Sequence, residues 1–242
     1  MKYRTITLFA ICMALALQCS TIYAQDSESN LAGFISADLG LFTIKFPEAA
    51  PSSDALGEET GFDDVYGSKS GLGFGGEVGL GHAQMGLFAI IRYKYWKKTG
   101  TPVAIGDPDI DWDIDMKWAQ EFVSVGARYF FIPKTQKKNP VMPFIGLGII
   151  YSSATEQMNG SATYQNQTQS VFDKVDIDGT GFYGEVGVDF YVSPKSSIRF
   201  FAEYSSLNLG LKDEGTRYEI DGGGGVFIGA SLNQFFGTSM IN

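Results

Sequence analysis

The chain has 242 residues, a formal net charge of −9, a single histidine and two cysteines. The acidic balance argues against nucleic acid as a partner, and the length suits one domain. Beyond the first 24 residues no apolar run is long enough for a transmembrane helix, so any insertion into a bilayer must be by strands.

The N-terminus reads as an export signal. Lys2 and Arg4 are followed by an apolar run, Leu8–Leu17, and by Ile22-Tyr23-Ala24 as a cleavage site. Cys19 raises a lipoprotein alternative, but Gln18 stands where a small residue is expected, which favours cleavage after Ala24. Removal of residues 1–24 takes away Lys2 and Arg4 and no acid, lowering the charge by two from −9 to −11. It also removes Cys12 and Cys19, leaving 218 residues (242 − 24) without a cysteine. An exported chain with no disulfide must be held together otherwise, and a closed sheet in a bilayer is one way. Residues 25–242 are expected to form one domain.

Strict period-two patterning then runs through the chain, the mark of strands whose side chains alternate between faces. Leu31 to Thr43 sets Leu31, Gly33, Ile35, Ala37, Leu39 and Leu41 against Ser36, Asp38 and Gly40. A polar segment, Pro47 to Lys69, follows. From Gly71 to Gly81 every second residue is Gly or Glu, and His82-Ala83-Gln84 connects this run to the next as a hairpin. There Met85, Leu87, Ala89, Ile91, Tyr93 and Tyr95 oppose Gly86, Phe88, Ile90, Arg92, Lys94 and Trp96. Lys97 to Asp115 reads as a connection rich in Asp, Gly and Pro. Met116 to Ile132 and Val141 to Ala154 supply the fourth and fifth strands, and Thr155 to Asp178 is expected to be a long Gln/Asn/Ser/Thr loop. Gly179 to Val192, Ser197 to Leu209 and Gly223 to Phe236 complete eight.

One flank of each strand is smooth and apolar, while the other mixes glycines with charges of both signs. That suits a wall with lipid outside and a crowded polar lumen inside. Connections alternate, long after the odd strands and short after the even ones. Strands of about ten residues tilted by roughly 40° cross about 25 Å, the height of an outer-membrane apolar band. Outward aromatics fall at two levels. Tyr129, Phe131, Phe190, Phe200 and Phe236 lie toward the short turns, and Tyr93, Tyr95, Tyr151, Phe182 and Tyr204 toward the long loops. Two such girdles are expected where rings meet headgroups. The predicted fold is therefore all-β, an eight-stranded antiparallel up-and-down transmembrane barrel.

The inward charges are Asp38, Glu77, Glu185, Asp189 and Glu203 against Arg92, Lys94, Arg128 and Arg199. In a lumen only wide enough for side chains they are expected to be paired ions, since unpaired burial is prohibitive. The alternative is a gate or narrow polar path. Asp107, Asp109, Asp111, Asp113 and Asp115 alternate beside Trp112. Clustered carboxylates suit a hard cation, but the spacing is not that of a calcium-binding hand, and a wet strand face explains it equally well. His82 reads as a surface turn residue. The glycine runs at 71–81 and 222–225 lack a following Lys-Ser/Thr and are not phosphate loops.

Gly-Gly-Glu-Val-Gly-Leu-Gly at 75–81, Pro-Phe-Ile-Gly-Leu-Gly at 143–148 and the end Ala230-Ser231-Leu232-Asn233-Gln234-Phe235-Phe236 resemble the small outer-membrane barrels. These are the OmpX/OmpW type, the OmpA membrane domain and the porin-like outer-membrane barrel family, and the resemblance covers nearly all of 31–236. It implies location in the outer membrane of a Gram-negative cell, contact with its lipid and lipopolysaccharide, and assembly by the outer-membrane insertion machinery reading the last strand. Enzymes among such barrels use a histidine near the outer leaflet, where this chain has none. The resemblance implies a monomeric, non-enzymatic barrel without cofactor, anchoring four surface loops for envelope integrity, adhesion or interaction. A narrow or gated channel for small solutes is the alternative.

Overall fold

The computed structural model describes residues 30–45, 62–100, 111–132, 140–213, 216–221 and 224–240. The expected signal peptide, Asp107 and Asp109 lie outside the described residues. Among the described residues nine strands follow in chain order: β1 (Leu31–Ile44), β2 (Ser70–His82), β3 (Leu87–Gly100), β4 (Asp111–Phe130), β5 (Val141–Tyr164), β6 (Gln167–Ser193), β7 (Ser196–Asp213), β8 (Thr216–Asp221) and β9 (Gly225–Gly237). Consecutive strands β1 to β7 pair antiparallel, β9 pairs with β7, and β9 returns to β1 with Ser36 opposite Asn233. Eight strands thus close a ring with no free edge in the wall, which satisfies every ladder of backbone groups inside a bilayer. The short β8 pairs with the top of β7.

Period two dictates what each strand presents. Leu39, Leu72, Leu147, Ile149, Phe182, Ile228 and Leu232 are all more than half exposed on the outside. Asp38, Glu77, Arg92, Arg128, Glu185 and Arg199 are buried inside. A soluble protein would invert this order. No helix among the described residues is long and apolar enough to cross a membrane.

At one end the connections are tight. Gly86 takes a φ of 68° to close the β2–β3 turn, and Pro194-Lys195 joins β6 to β7. The other end differs from expectation. Thr155 to Asp178 is no loop: β5 and β6 continue paired from Ser153–Asp178 up to Tyr164–Gln167, and turn on Gln165 and Asn166 with φ of 48° and 65°. Asp111 to Asp115 is not part of the expected connection but belongs to β4, paired with Thr163 to Asn159 of β5, with Asp111, Asp113 and Asp115 on its exposed face as the wet-strand reading has it. These polar segments form a sheet that rises above the wall, because their inner face still carries the buried Ile114, Met116, Trp118, Met158 and Ile177. Excising residues 159–172 and joining Met158 to its partner Asp173 through Asn-Gly should leave the barrel intact. The excised chain is expected to keep its shifted migration on an unheated gel; loss of that shift would mean the ribbon is needed for closure.

One helical turn, α1 (Phe62–Tyr66), sits in this outer mouth. Gly67 ends it at φ 71°, its N–H donating to the Asp63 carbonyl at 2.7 Å, the usual left-handed stop. Phe62, Val65 and Tyr66 are buried. The Val65 carbonyl oxygen lies 2.1 Å from where a Cβ on Gly100 would stand, so only glycine lets β3 meet α1 this closely.

Candidate functional site

The bore is filled in three tiers, and the middle tier is ionic. Glu77 on β2 is its hub, accepting from Arg92 Nε at 2.7 Å, from Arg128 Nη2 at 2.9 Å and from Arg199. Glu185 on β6 accepts from Arg128 Nε at 2.8 Å and from Arg92. Glu203 on β7 receives Arg92 and, at 2.7 Å, Lys94 Nζ. Asp189 receives Arg199 through Nε at 2.6 Å and Nη2 at 3.0 Å, with Asn233 and Ser197 beside it. Asp38 accepts from Ser36 Oγ at 3.0 Å and makes no ion pair among the described residues. All nine residues expected to carry the lumen charge are therefore together, each at most 5% exposed.

The other two tiers are aromatic, whereas the sequence reading gives a polar lumen throughout. Toward the short turns Phe34 lies 5.7 Å from Phe88, 6.4 Å from Phe130 and 5.5 Å from Phe235, with Phe144 against Phe130 at 5.6 Å. Toward the mouth Phe42 lies 5.5 Å from Trp96, 5.0 Å from Phe122 and 6.5 Å from Phe227. These rings share strand parity with the charges, since Phe34 and Phe42 are in phase with Asp38. That parity was the available signal. The rings also cover the cations. Arg128 and Arg199 sit 4.5 and 4.8 Å from the Phe144 centroid, and Lys94 Nζ lies 4.3 Å from that of Phe227. Aromatic faces attract cations most where water is excluded. Packed so, the tiers form a plug.

Above the plug, the Tyr66 hydroxyl donates to Glu156 Oε1 at 2.8 Å, tying α1 to β5. Burial, with the carboxylate adjacent, holds the Tyr66 phenol above its ordinary value. Neither residue stands out in the sequence, because a single turn shows no periodicity.

On the outer wall, Tyr129 and Phe131 meet edge to face at 5.0 Å, and Phe190 and Phe200 at 6.0 Å. Tyr151, Phe182 and Tyr204 are exposed, Tyr93, Tyr95 and Phe236 half-buried. Phe74, missed as a girdle residue, packs on Tyr95 at 5.2 Å. Asp111, Asp113 and Asp115 occupy successive exposed positions of β4, each about 6.5–7 Å from the next along the strand. Among the described residues no three metal-ligating side chains converge. His82 Nδ1 accepts from the Met85 N–H at 3.3 Å, fastening the β2–β3 turn.

A family model described as "Outer membrane protein beta-barrel domain" matches residues 10–224. No curated protein matches the sequence significantly. Among solved structures, the chain is similar to a major outer membrane protein from Thermus thermophilus, at 12% identity and a TM-score of 0.45, over 85% of this chain and 99% of that one. It is similar to the outer membrane protein AlkL at 11% identity and 0.41, over 86% and 90%. It is also similar to Ail, the attachment invasion locus protein of Yersinia pestis, at 13% and 0.36, over 85% and 99%. The family match spans most of the chain and the closed ring agrees with it: this chain belongs to the outer membrane protein beta-barrel domain family, whose place is the outer membrane of Gram-negative bacteria.

Proposed function

We propose that this barrel is a non-enzymatic, monomeric anchor that presents its raised sheet to extended segments of other proteins. The observation that carries this is the edge of β6. β6 pairs with β7 only from Ile177 onward, opposite Leu211, so the backbone of Gln167 to Val175 has no paired strand on that side among the described residues. Seven of these nine residues are exposed, Val171 and Val175 being the exceptions. A row of unpaired N–H and C=O groups is a template for a further strand, and the plugged bore beneath gives it a rigid mount. Outer-membrane lipid and lipopolysaccharide surround the wall, and the insertion machinery places it there.

A solute channel is the competing reading, and the plug of ion pairs and rings speaks against it. In planar bilayers the purified chain should show no unitary current, while proteoliposomes carrying it should retain an unfolded, reduced and alkylated polypeptide. The 159–172 excision should abolish that retention without changing migration on the gel. A reproducible conductance removed by Arg128→Ala, or retention unaffected by the excision, would contradict the proposal.

A further inference from the structure

In the mouth, Phe62 of α1 occupies a cage of other aromatic rings. Its ring is stacked over Trp96 (centroids 6.3 Å, 26°), stands edge-on to Trp118 at 5.6 Å, and lies 4.4 Å from Tyr66. Phe62 is 1% exposed. Phe42 and Phe122 floor the chamber over the ionic tier. The wall of this chamber carries a buried donor without an acceptor. Trp96 is 1% exposed, and its indole N–H has no acceptor among the described residues. A Cβ on Gly71 would lie 2.3 Å from Trp96 Nε1, so the N–H stands inside the bore above Gly71 rather than in the wall.

We propose that the mouth is a binding site for small, neutral, flat aromatic molecules bearing an acceptor oxygen, with Phe62 as the resident stand-in for the ring. The indole N–H is a donor only, so the missing element is an acceptor, which Phe62 does not bring. The walls are aromatic faces, which select a planar body. Glu156, buried in the same mouth, disfavours an anion. The site ends blindly on the ionic tier, so it holds a molecule without passing it through. Access requires α1 to lift. It is one turn long, it is followed by Gly67, where a Cβ would meet nothing within 4 Å, and it is tied to β5 by the Tyr66–Glu156 hydrogen bond.

The test uses the full chain refolded in detergent micelles, with acetophenone as probe and toluene as the ring without an acceptor. Tryptophan indole signals are followed by nitrogen–proton NMR. Phe62→Ala vacates the cage, and Tyr66→Phe releases α1 while leaving every cage ring in place. Both variants should bind acetophenone about tenfold more tightly than the unaltered chain, a difference of about 1.4 kcal/mol. Binding should move the Trp96 indole signal downfield, and toluene should bind more weakly. Trp96→Phe, added to either variant, should erase the preference for acetophenone. If Phe62→Ala fails to fold, Tyr66→Phe carries the same reading. A Trp96 signal unmoved while acetophenone saturates the micelles, or equal affinity for the two probes, would overturn the proposal.

Discussion

Replacing Glu77 by alanine is expected to lower the unfolding free energy of the barrel by about 3–5 kcal/mol, the cost of breaking a buried ion pair from one side. Glu77 is fully buried and accepts from three guanidiniums, those of Arg92, Arg128 and Arg199. Each arginine keeps a second carboxylate: Glu185 and Glu203 for Arg92, Glu185 for Arg128, and Asp189 for Arg199. The loss is thus not of charge balance, since five acids and four bases become four and four. What is lost is geometry. Several charge-assisted donors are left facing a void between two aromatic tiers, where a neutral water replaces the carboxylate's charge poorly. Glu77→Gln, which keeps the shape and one acceptor, should cost less. Urea titration of the refolded barrel, read by its gel shift, measures both. A loss below about 1 kcal/mol for the alanine variant, the range of solvated pairs, would mean the bore is wet.

The parts of this molecule that were legible in the sequence are those where the two flanks of a strand meet different media. From Met85 to Trp96 and from Ile198 to Tyr204 outward positions are apolar throughout and inward ones carry the charges, and each inward residue is more buried than its outward neighbours; from Leu31 to Leu41 the same order breaks only at Gly33, which is buried on the outward flank. The charged set was legible for the same reason: a charge in phase with glycines and out of phase with leucines has nowhere to point but inward. The ribbon above the wall was not legible. Thr155 to Asp178 meets water on most of its surface, so a strand there needs no amphipathic contrast, and its composition is that of a loop. The partners within the plug were not legible either. Glu77 and Arg199 are 122 residues apart, and they meet only because the tilt and stagger of eight strands bring their levels together. The aromatic tiers share the strand phase of the charges, but residue type alone does not mark them, since phenylalanine also lines the lipid-facing flank at Phe74, Phe182 and Phe200. α1 gave no signal at all, since five residues are too few to show a helical period.

The wall's solvent is the point on which the rest depends, and two residues of equal exposure separate the possibilities. Leu147 is 70% exposed and Phe172 is 69% exposed. Leu147 sits on the wall of β5 between Val141 and Tyr151, level with Gly146, whose missing Cβ leaves room for the Glu185 carboxylate of the ionic tier. Phe172 sits on the ribbon of β6, opposite Asn159, above the wall. Arginine at Leu147 should cost about 2–4 kcal/mol near the bilayer midplane, whereas arginine at Phe172 should cost no more than the roughly 0.5 kcal/mol of an ordinary surface change. The decisive measurement is the unfolding free energy of Leu147→Arg and Phe172→Arg, compared in lipid vesicles under one urea titration. A large loss confined to Leu147→Arg is the predicted result; equal small losses at both positions would show that the exposed apolar flank does not face acyl chains.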